Sequence, residues 1–305
     1  MKVLGFGSIV WDDVGDDDEK VPTDSVAGER NIGGAVFNVI AHLKKLGCSS
    51  YMVSAVGNDK LGIKTIIEVK KFGIYTDFIN KVKESTSVIH VTFDKNGFPH
   101  YTIPEIASWD KIQLSKQQLD RITKINFDFF IFGTIEQRNI ISRETLYYIL
   151  ENVHFKNVFI DLTLRGNYYN KDILDYSMRK SNIVKMNYDE ALVVNDLFNL
   201  KSKNYRDLIP LIANKFDSNI VCITLGSNGA CIGDKHSIVC KPGYNIKVKD
   251  TVGSGDAFSA GLIYKLGSGA SIEEACDFGN KMGALISSKI SSIPDYNISE
   301  INRIQ

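Results

Sequence analysis

The chain has 305 residues, 44% of them hydrophobic and 24% charged, which is typical of a soluble globular protein with a large core. Its 36 basic and 36 acidic residues cancel, which argues against nucleic acid and anionic membranes as partners. No apolar run approaches the ~20 residues that span a bilayer, no signal-peptide core is evident, and the five cysteines lack metal-binding spacing, so we expect a cytoplasmic protein with reduced thiols.

Short apolar runs alternate with segments whose apolar residues recur every three or four positions, which predicts strands alternating with helices. The predicted strands cover residues 3–10, 51–56, 128–132, 158–162, 183–186 and 220–225. The predicted helices over 36–46 and 61–72 each stop at a glycine. Several strands are apolar throughout, as expected when both faces are buried. The pattern predicts an α/β fold with a doubly wound, mostly parallel sheet flanked by helices.

One segment interrupts the alternation. Residues 87–92 and 98–103 read as two strands around a turn that contains Asn96-Gly97, a common hairpin dipeptide. Such an insertion is either a minor edge of the main sheet or a flap over a ligand, and the pattern leaves both open. Because no repeat or Pro/Gly-rich linker divides the chain, we expect a single domain over residues 1–305.

Two glycine-containing stretches fail as nucleotide motifs. Gly5 and Gly7 follow a strand, but no third glycine opens a helix as the dinucleotide fingerprint requires. Gly57 and Gly62 have nearly the spacing of a phosphate-binding loop, but Lys64 is displaced by one residue and would face another side of the helix. Neither motif is accepted.

The stretch DTVGSGDAFSAG, residues 250–261, is more informative. Ile246 and Val248 alternate with lysines before it, which predicts a half-buried strand leading into it. Residues 253–255 then begin a helix whose outward N–H groups suit an anion. Asp256 in the first turn can accept a proton from a hydroxyl that attacks a phosphoryl group. For an isolated Gly-x-Gly-Asp, a carboxylate that merely caps the helix is the simpler interpretation.

Further motifs decide between these interpretations. Residues 250–261 resemble the C-terminal signature of the ribokinase-like (PfkB) carbohydrate kinases, and residues 33–47 resemble the N-terminal double-glycine motif of that family. Residues 57–62, 187–190 and 224–230 resemble further motifs of the family in the expected order. The resemblance covers essentially the whole chain and implies a ribokinase-like α/β domain that phosphorylates a sugar hydroxyl with ATP. It also implies a small β lid, which we assign to segments of approximately 12–30 and 86–105.

The resemblance implies a role for each matching residue. Asp256 would be the general base and contact the acceptor, and the amides of Gly253, Ser254 and Gly255 would form the anion hole. Asn187 and Glu190 would place Mg²⁺ through its waters, since this ion keeps several waters when bound. The nucleotide would be bordered by Thr224, Gly226, Gly229 and Asn280, with further contacts from Gly253 and Gly255. A monovalent cation, K⁺, is implied at Asp250 and Thr251. The sugar would be bound by Asp12, Gly33, Gly34, Asn38 and Arg165, whose carboxylate, amide and guanidinium groups suit hydroxyls.

Three stretches resemble bacterial fructokinases in particular. They are residues 132–138, residues 161–165 and residues 184–187. In the second, Thr163 replaces an asparagine of the fructokinase pattern, which alters one polar position near the expected sugar pocket. Fructose is therefore the leading acceptor. A kinase for another sugar or a nucleoside, similar to ribokinase or adenosine kinase, and a non-catalytic sugar-binding homologue are the alternatives. A homodimer through the lid and a monomer with a closing lid both stay open.

Overall fold

The computed structural model describes residues 1–14, 31–93 and 99–305. The strands are β1 (Lys2–Phe6), β2 (Val10–Val14), β3 (Asn31–Gly33), β4 (Ser49–Gly57), β5 (Tyr75–Val82), β6 (Val88–Phe93), β7 (Pro99–Thr102), β8 (Phe127–Phe132), β9 (Phe155–Asp161), β10 (Ile183–Asn187), β11 (Ile220–Thr224), β12 (Ala230–Gly233) and β13 (Ile238–Lys241). The helices are α1 (Ala35–Lys45), α2 (Lys60–Lys71), α3 (Lys116–Ile122), α4 (Ile140–Asn152), α5 (Lys171–Arg179), α6 (Tyr188–Leu197), α7 (Tyr205–Phe216), α8 (Ser254–Gly267), α9 (Ile272–Ser287) and α10 (Ile298–Asn302). Short 3-10 helices cover Ser108–Lys111, Ile135–Arg138 and Gly226–Asn228.

Nine of the described strands form the main sheet, in the order β13-β12-β11-β10-β9-β8-β1-β4-β5. The strands from β11 to β5 pair in parallel, and β12 and β13 add an antiparallel edge. Helices pack on both faces, so the predicted doubly wound, mostly parallel architecture is confirmed.

Alternate side chains of a central strand enter opposite core layers. In β8, Phe130 and Phe132 join a layer with side chains of α4 to α7, whereas Phe129 and Ile131 join a layer with side chains of α1, α8 and α9. All four are at most 1% exposed. Burial on both faces explains why the strand is apolar throughout instead of alternating with polar residues.

The strand order reverses between β1 and β8. From β1 the sheet extends through β4 to β5, and from β8 it extends the other way through β9 and β10. Ligands of open α/β sheets bind beyond the carboxyl ends of the strands at such a reversal. The topology thus locates the expected ligand site at the loops that follow β1 and β8 to β11.

A second, four-stranded sheet has the order β3-β2-β6-β7. Strands β6 and β7 pair antiparallel, as the hairpin prediction requires, and they belong to this separate sheet instead of an edge of the main one. Strand β2 runs parallel to β6 at its centre. The Asn96-Gly97 turn and the predicted lid residues 15–30 lie outside the described residues.

Two strand predictions are wrong in detail. The predicted strand 3–10 is divided, because β1 ends at Phe6 and the chain enters the small sheet at Val10. The stretch 246–249 is not a strand. Its apolar side chains Ile246 and Val248 line a cavity instead of a core, and the Val248 residue is 58% exposed. The alternation of apolar and polar residues in this stretch therefore reflects a cavity wall and not a strand.

The expectation of five reduced thiols is also wrong. Cys231 and Cys240 form a disulfide, because the antiparallel register of β12 and β13 places them directly opposite each other with Cα atoms 4.1 Å apart. The other three cysteines are buried free thiols (Cys48, Cys222 and Cys276). In the described part of the chain, no helix is both long enough and apolar enough to cross a membrane.

Candidate active site

A cavity of about 830 Å³ opens at the carboxyl ends of the main-sheet strands. Five loops contribute to its wall, through Ser8 after β1, Ile135 after β8, Thr163 after β9, Asn187 at the end of β10 and Gly226 after β11. The cavity therefore lies where the reversal of strand order locates a ligand site.

Most of the predicted site residues line this cavity. They are Asp12, Gly34, Asn38, Arg165, Asn187, Glu190, Thr224, Gly226, Gly229, Thr251, Gly253, Ser254, Gly255, Asp256 and Asn280. Gly33 adjoins the wall, because a Cβ atom there would lie 2.7 Å from Oδ2 of Asp12. Asp250 is set back, with Oδ1 accepting the N–H of Val252 at 2.9 Å. Residues scattered between positions 12 and 280 thus converge on one site.

The N-terminus of α8 forms one wall of the cavity. Gly253 precedes the helix with φ +80°, and a Cβ atom there would lie 2.5 Å from Cβ of Ser292. The N–H of Ser254 donates to the carbonyl of Thr251 at 3.2 Å, and its hydroxyl donates to the same oxygen at 2.8 Å. The next two N–H groups, of Gly255 and Asp256, have no acceptor within the helix. Of the three amides predicted as the anion hole, Gly255 thus keeps an N–H that the helix does not use, and the amide of Asp256 adds another.

Asp256 lies in the first turn of α8 but does not cap it. The N-terminal cap is Gly253, and no side chain makes the capping hydrogen bond. Oδ2 of Asp256 instead accepts from Nδ2 of Asn38, in α1, at 2.7 Å. Burial raises the pKa of Asp256 to about 6, while the Asn38 hydrogen bond acts in the opposite direction. The simple capping interpretation therefore does not describe this carboxylate.

A buried lysine, Lys185, lines the cavity next to the first turn of α8. Nζ of Lys185 lies 2.9 and 3.1 Å from the carboxylate oxygens of Asp161, and both side chains are at most 7% exposed. Ser259 donates its hydroxyl to Asp161 at 2.9 Å. A Cβ atom on Gly255 would lie 3.5 Å from this Nζ. Burial opposes the charge of Lys185, but Asp161 and Glu190 outweigh it and raise the pKa.

In the sequence, Lys185 and Asp161 lie within two of the fructokinase-like stretches, and no role is predicted for either. A signal was present, since Lys185 is the one charged residue within the β10 sequence IVKMN. A lysine in a strand that is buried on both faces requires an acidic partner. The sequence alone does not say which of the 36 acidic residues is that partner.

Glu190 is held rigidly at the start of α6. Its two carboxylate oxygens accept the N–H groups of Leu164 and Asn187, each at 2.8 Å, and Asn187 Oδ1 accepts the N–H of Glu190 in return. The Asn-x-x-Glu motif is thus a reciprocal helix cap. Each carboxylate oxygen of Glu190 keeps a lone pair that can accept from a further donor. Asn187 and Glu190 therefore fit an outer-shell role, in which they would contact the waters of a hydrated Mg²⁺.

The opposite end of the cavity, near the small sheet, contains the predicted sugar residues. Burial, together with the charge of Asp256, raises the pKa of Asp12 to about 7. Gly34 has φ +123°, and a Cβ atom there would lie 2.4 Å from the Ser8 carbonyl oxygen, so only glycine fits. Arg165 lies close enough to lower the pKa of Asp256 electrostatically. We call this region the acceptor end.

Sequence reasoning missed the apolar side of the acceptor end. Its wall is formed by Val10, Ile89, Ile103, Trp109 and Ile135. These residues come from the small sheet, the segment that follows it and the loop after β8, and in the sequence they look like core residues. Thr163 also lines this end with φ +41°, a conformation that a β-branched residue rarely adopts.

The remaining end of the cavity is built around two turns. Gly229 has φ +91°, and a Cβ atom there would lie 2.1 Å from the carbonyl oxygen of Lys241. Asn280 donates from Nδ2 to the carbonyls of Lys241 and Pro242, at 3.2 and 3.1 Å. Asn280 thus fixes the segment that packs on Gly229, and it also lines the cavity.

The fold and this cavity define a class of α/β protein in which a carboxylate at a helix N-terminus lies within a site large enough for two ligands. Residues 2–298 match the pfkB family carbohydrate kinases, and the chain belongs to this family. It is therefore a carbohydrate kinase, a phosphotransferase that acts on an alcohol group.

Individual relatives are more distant. The chain is 27% identical over 273 residues to a sugar kinase of Pyrococcus horikoshii, covering 86% of this chain and 82% of that protein. A fructokinase of Vibrio cholerae, solved with fructose, ADP and calcium ion, has a TM-score of 0.82 at 20% identity and covers 99% of this chain and 98% of its own. An aminoimidazole riboside kinase of Salmonella enterica has a TM-score of 0.80 at 19% identity and covers 99% of each chain.

Proposed function

We propose that the protein transfers the γ-phosphoryl group of ATP to a hydroxyl group of a sugar, with fructose as the leading acceptor. The observation that carries this proposal is the Asp256 carboxylate, which lies beside two first-turn N–H groups of α8 and is held by Asn38 at 2.7 Å. A base next to an anion site is the arrangement that phosphoryl transfer to an alcohol requires.

In the proposed reaction Asp256 accepts the proton of the acceptor hydroxyl as its oxygen attacks the γ-phosphorus. A pKa of about 6 leaves the carboxylate mostly ionised at neutral pH while making it more basic than an ordinary aspartate. The N–H groups of Gly255 and Asp256 and the ammonium of Lys185 stabilise the negative charge on the transferred group. ADP leaves as the phosphorus–oxygen bond to the β-phosphate breaks.

We assign the end around Gly226, Gly229 and Asn280 to the nucleotide, with Thr224 beside it. Mg²⁺, when bound, would neutralise charge on the ATP phosphates, and Asn187 and Glu190 would hold its waters. K⁺ binding near Asp250 stays a prediction. The carbonyl of Thr251 already accepts two hydrogen bonds from Ser254, so a cation at Thr251 would have to compete with them.

We assign the acceptor end to the sugar, with Asp12, Asn38 and Arg165 as partners of its hydroxyls. The similarity of residues 161–165 to fructokinases and the fold likeness to the Vibrio cholerae enzyme support fructose. The apolar wall favours a second candidate, a nucleoside, since its base would cover the partly exposed Ile103 and Ile135 better than a free hexose would. The likeness to a riboside kinase supports the same candidate.

A panel assay tests the proposal. ADP release is measured with ATP and Mg²⁺ in the presence of fructose, glucose, ribose, adenosine and other nucleosides, one at a time. We expect fructose to give the highest kcat/KM. A nucleoside with a higher kcat/KM would replace fructose by the second candidate. Binding of an acceptor in calorimetry without turnover of any compound would identify a non-catalytic homologue.

A further inference from the structure

Arg138 is a partly buried cation that the proposed reaction does not use. It ends the 3-10 helix after β8, and its Nε and Nη2 atoms donate to the two carboxylate oxygens of Asp110 at 2.8 and 2.7 Å. The Arg138 side chain is 8% exposed and that of Asp110 is 5% exposed. This two-pronged contact is a geometry that arginine can form and lysine cannot.

The same guanidinium reaches two other segments. Nη2 donates to the carbonyl of Pro104 at 2.9 Å, in the segment that returns from the small sheet. Its carbon lies 4.7 Å from the ring centre of Tyr168, in the loop after β9, and 5.4 Å from that of Trp109. Arg138 therefore joins four segments of the chain, including its own.

Each of those four segments supplies a residue to the acceptor end. Ile103 precedes Pro104, Trp109 precedes Asp110, Ile135 begins the 3-10 helix of Arg138, and Arg165 accepts the N–H of Tyr168 through its carbonyl at 3.1 Å. Arg138 itself is not among the described residues that line the cavity. Its contacts thus hold the acceptor wall from behind.

Trp109 depends on this arrangement more than its neighbours do. Its indole N–H is buried and has no hydrogen-bond partner within the described residues, so packing and the guanidinium fix the ring. The adjacent Asp110 also accepts the N–H of Ala107 at 3.1 Å, which closes the turn that carries the ring. Trp109 lines the cavity although only 1% of the residue is exposed, so a change at Arg138 would reach the cavity through the packing of this ring.

We propose that Arg138 is a positioning residue for the acceptor: by tying four segments together it sets the shape of the apolar wall and so determines which acceptors are accepted. This inference rests on the proposed function, because it assumes that the acceptor occupies the end lined by Trp109. It predicts that changes at Arg138 alter discrimination among acceptors while leaving the nucleotide end unaffected.

The test compares Arg138→Lys and Asp110→Asn with the wild-type protein. Both substitutions keep the approximate size of the side chain and remove the two-pronged pair. Arg121→Lys is the matched control, since Arg121 pairs with Asp77 at 2.6 Å and lies over the Phe78 ring, on elements that do not line the cavity. The kcat and KM values are measured for fructose, ribose and ATP, together with the Tm of each variant.

We expect Arg138→Lys and Asp110→Asn to raise the KM for the preferred acceptor about tenfold and to reduce the ratio of kcat/KM between fructose and ribose by a similar factor. The KM for ATP should stay within about twofold, and Arg121→Lys should change none of these values. An unchanged ratio, with kcat lost in parallel for both sugars, would show that Arg138 only supports the fold and would overturn the proposal.

A second readout does not require turnover. In a Trp11→Phe background Trp109 is the single tryptophan, and its emission and quenching by acrylamide report how tightly the wall is packed. Arg138→Lys should shift the emission to the red and increase quenching, and the same change at Arg121 should not. If the wild-type protein phosphorylates no acceptor, the proposed function fails independently. Unchanged fluorescence in Arg138→Lys would overturn the positioning role by itself.

Discussion

The two ends of the cavity differ in how far backbone and side chains shape them. The end that we assign to the nucleotide is shaped by backbone turns, namely the first turn of α8 and the segments at Gly226 and Gly229, with side chains such as that of Asn280 beside them. The acceptor end consists largely of side chains, which come from the small sheet, α1 and the loops after β8 and β9. Backbone geometry constrains the first end, whereas packing among distant segments constrains the second.

This difference has a chemical basis. Every nucleoside triphosphate presents the same phosphate chain, and N–H groups at a helix start recognise phosphate without reference to a base or sugar. Acceptors differ in the position of their hydroxyls and in their apolar area, so their recognition requires particular side chains in particular places. We therefore expect substitutions at the first end to affect every acceptor alike and substitutions at the second end to alter preference.

The largest effect is expected for Asp256→Asn. Loss of a general base lowers the rate by roughly 10²–10⁴-fold, and kcat should fall by that factor for every acceptor. In the proposed arrangement the ATP phosphates are bound mainly by backbone N–H groups, so the Kd for ATP measured by calorimetry should change little. A variant with near-normal kcat would remove Asp256 from the role of base.

Lys185→Met tests the charge behind the anion site. Removing one preorganised electrostatic contact lowers kcat by roughly 10²–10³-fold, and we expect a loss of this size for all acceptors. The substitution also leaves Asp161 buried without its partner, which destabilises the fold. The double variant with Asp161→Asn restores neutrality. If kcat recovers in the double variant, Lys185 serves Asp161 alone and does not act on the phosphoryl group.

Substitutions at two glycines near the first turn of α8 distinguish effects on activity from effects on stability. Gly253→Ala places Cβ against Ser292 with φ +80°, and the conformation alone costs roughly 1–2 kcal/mol, so the Tm should fall. Gly255→Ala places Cβ 3.5 Å from Nζ of Lys185, an ordinary contact in the absence of ligand. We expect it to keep its Tm and to lose activity about tenfold or more, because the methyl group would occupy space near the phosphate. Equal Tm losses in the two variants would contradict this distinction.

The sequence predicts these two ends to different degrees. The glycines, Asp256 and Glu190 stand in short local motifs, because the chemistry of a turn or helix start is set within a few residues. The Asn38–Asp256 contact joins positions 218 residues apart, and the apolar wall has no pattern of its own. The wall residues resemble core residues in composition, so only the fold shows that Ile103 and Ile135 face a cavity.

The fold shows the same division. The parallel sheet follows from continuous apolar strands, but the division of residues 3–10 between two sheets does not. The residues on both sides of Gly7 favour a β-strand. Tertiary pairing, with β4 and β8 before Gly7 and with β3 and β6 after it, decides which sheet each part joins. The disulfide is a further example, since the register that pairs Cys231 with Cys240 is fixed by the tertiary fold around β12 and β13.

Thr163→Asn tests the acceptor end with a smaller effect. At φ +41° asparagine is tolerated better than a β-branched residue, and strain of this kind amounts to about 1–3 kcal/mol. We therefore expect the Tm to rise by roughly 2 °C or more. The amide also restores the fructokinase pattern, so the KM for fructose should fall several-fold. Thr163→Ser, which removes the branch without adding an amide, should give part of the Tm gain and no gain in KM.

The smallest effect is expected in the pH dependence, where the two ends meet. Asp256 must be ionised to act as base, so kcat/KM should fall as the pH decreases through about 6. The side-chain amide of Asn38 donates to the ionised carboxylate and lowers its pKa, so Asn38→Leu should move this acid limb to higher pH. Asp12, with a pKa of about 7, titrates in the same range, and the profile of Asp12→Asn identifies its part. An acid limb in Asn38→Leu that stays in place or moves to lower pH would show that this hydrogen bond does not tune the base.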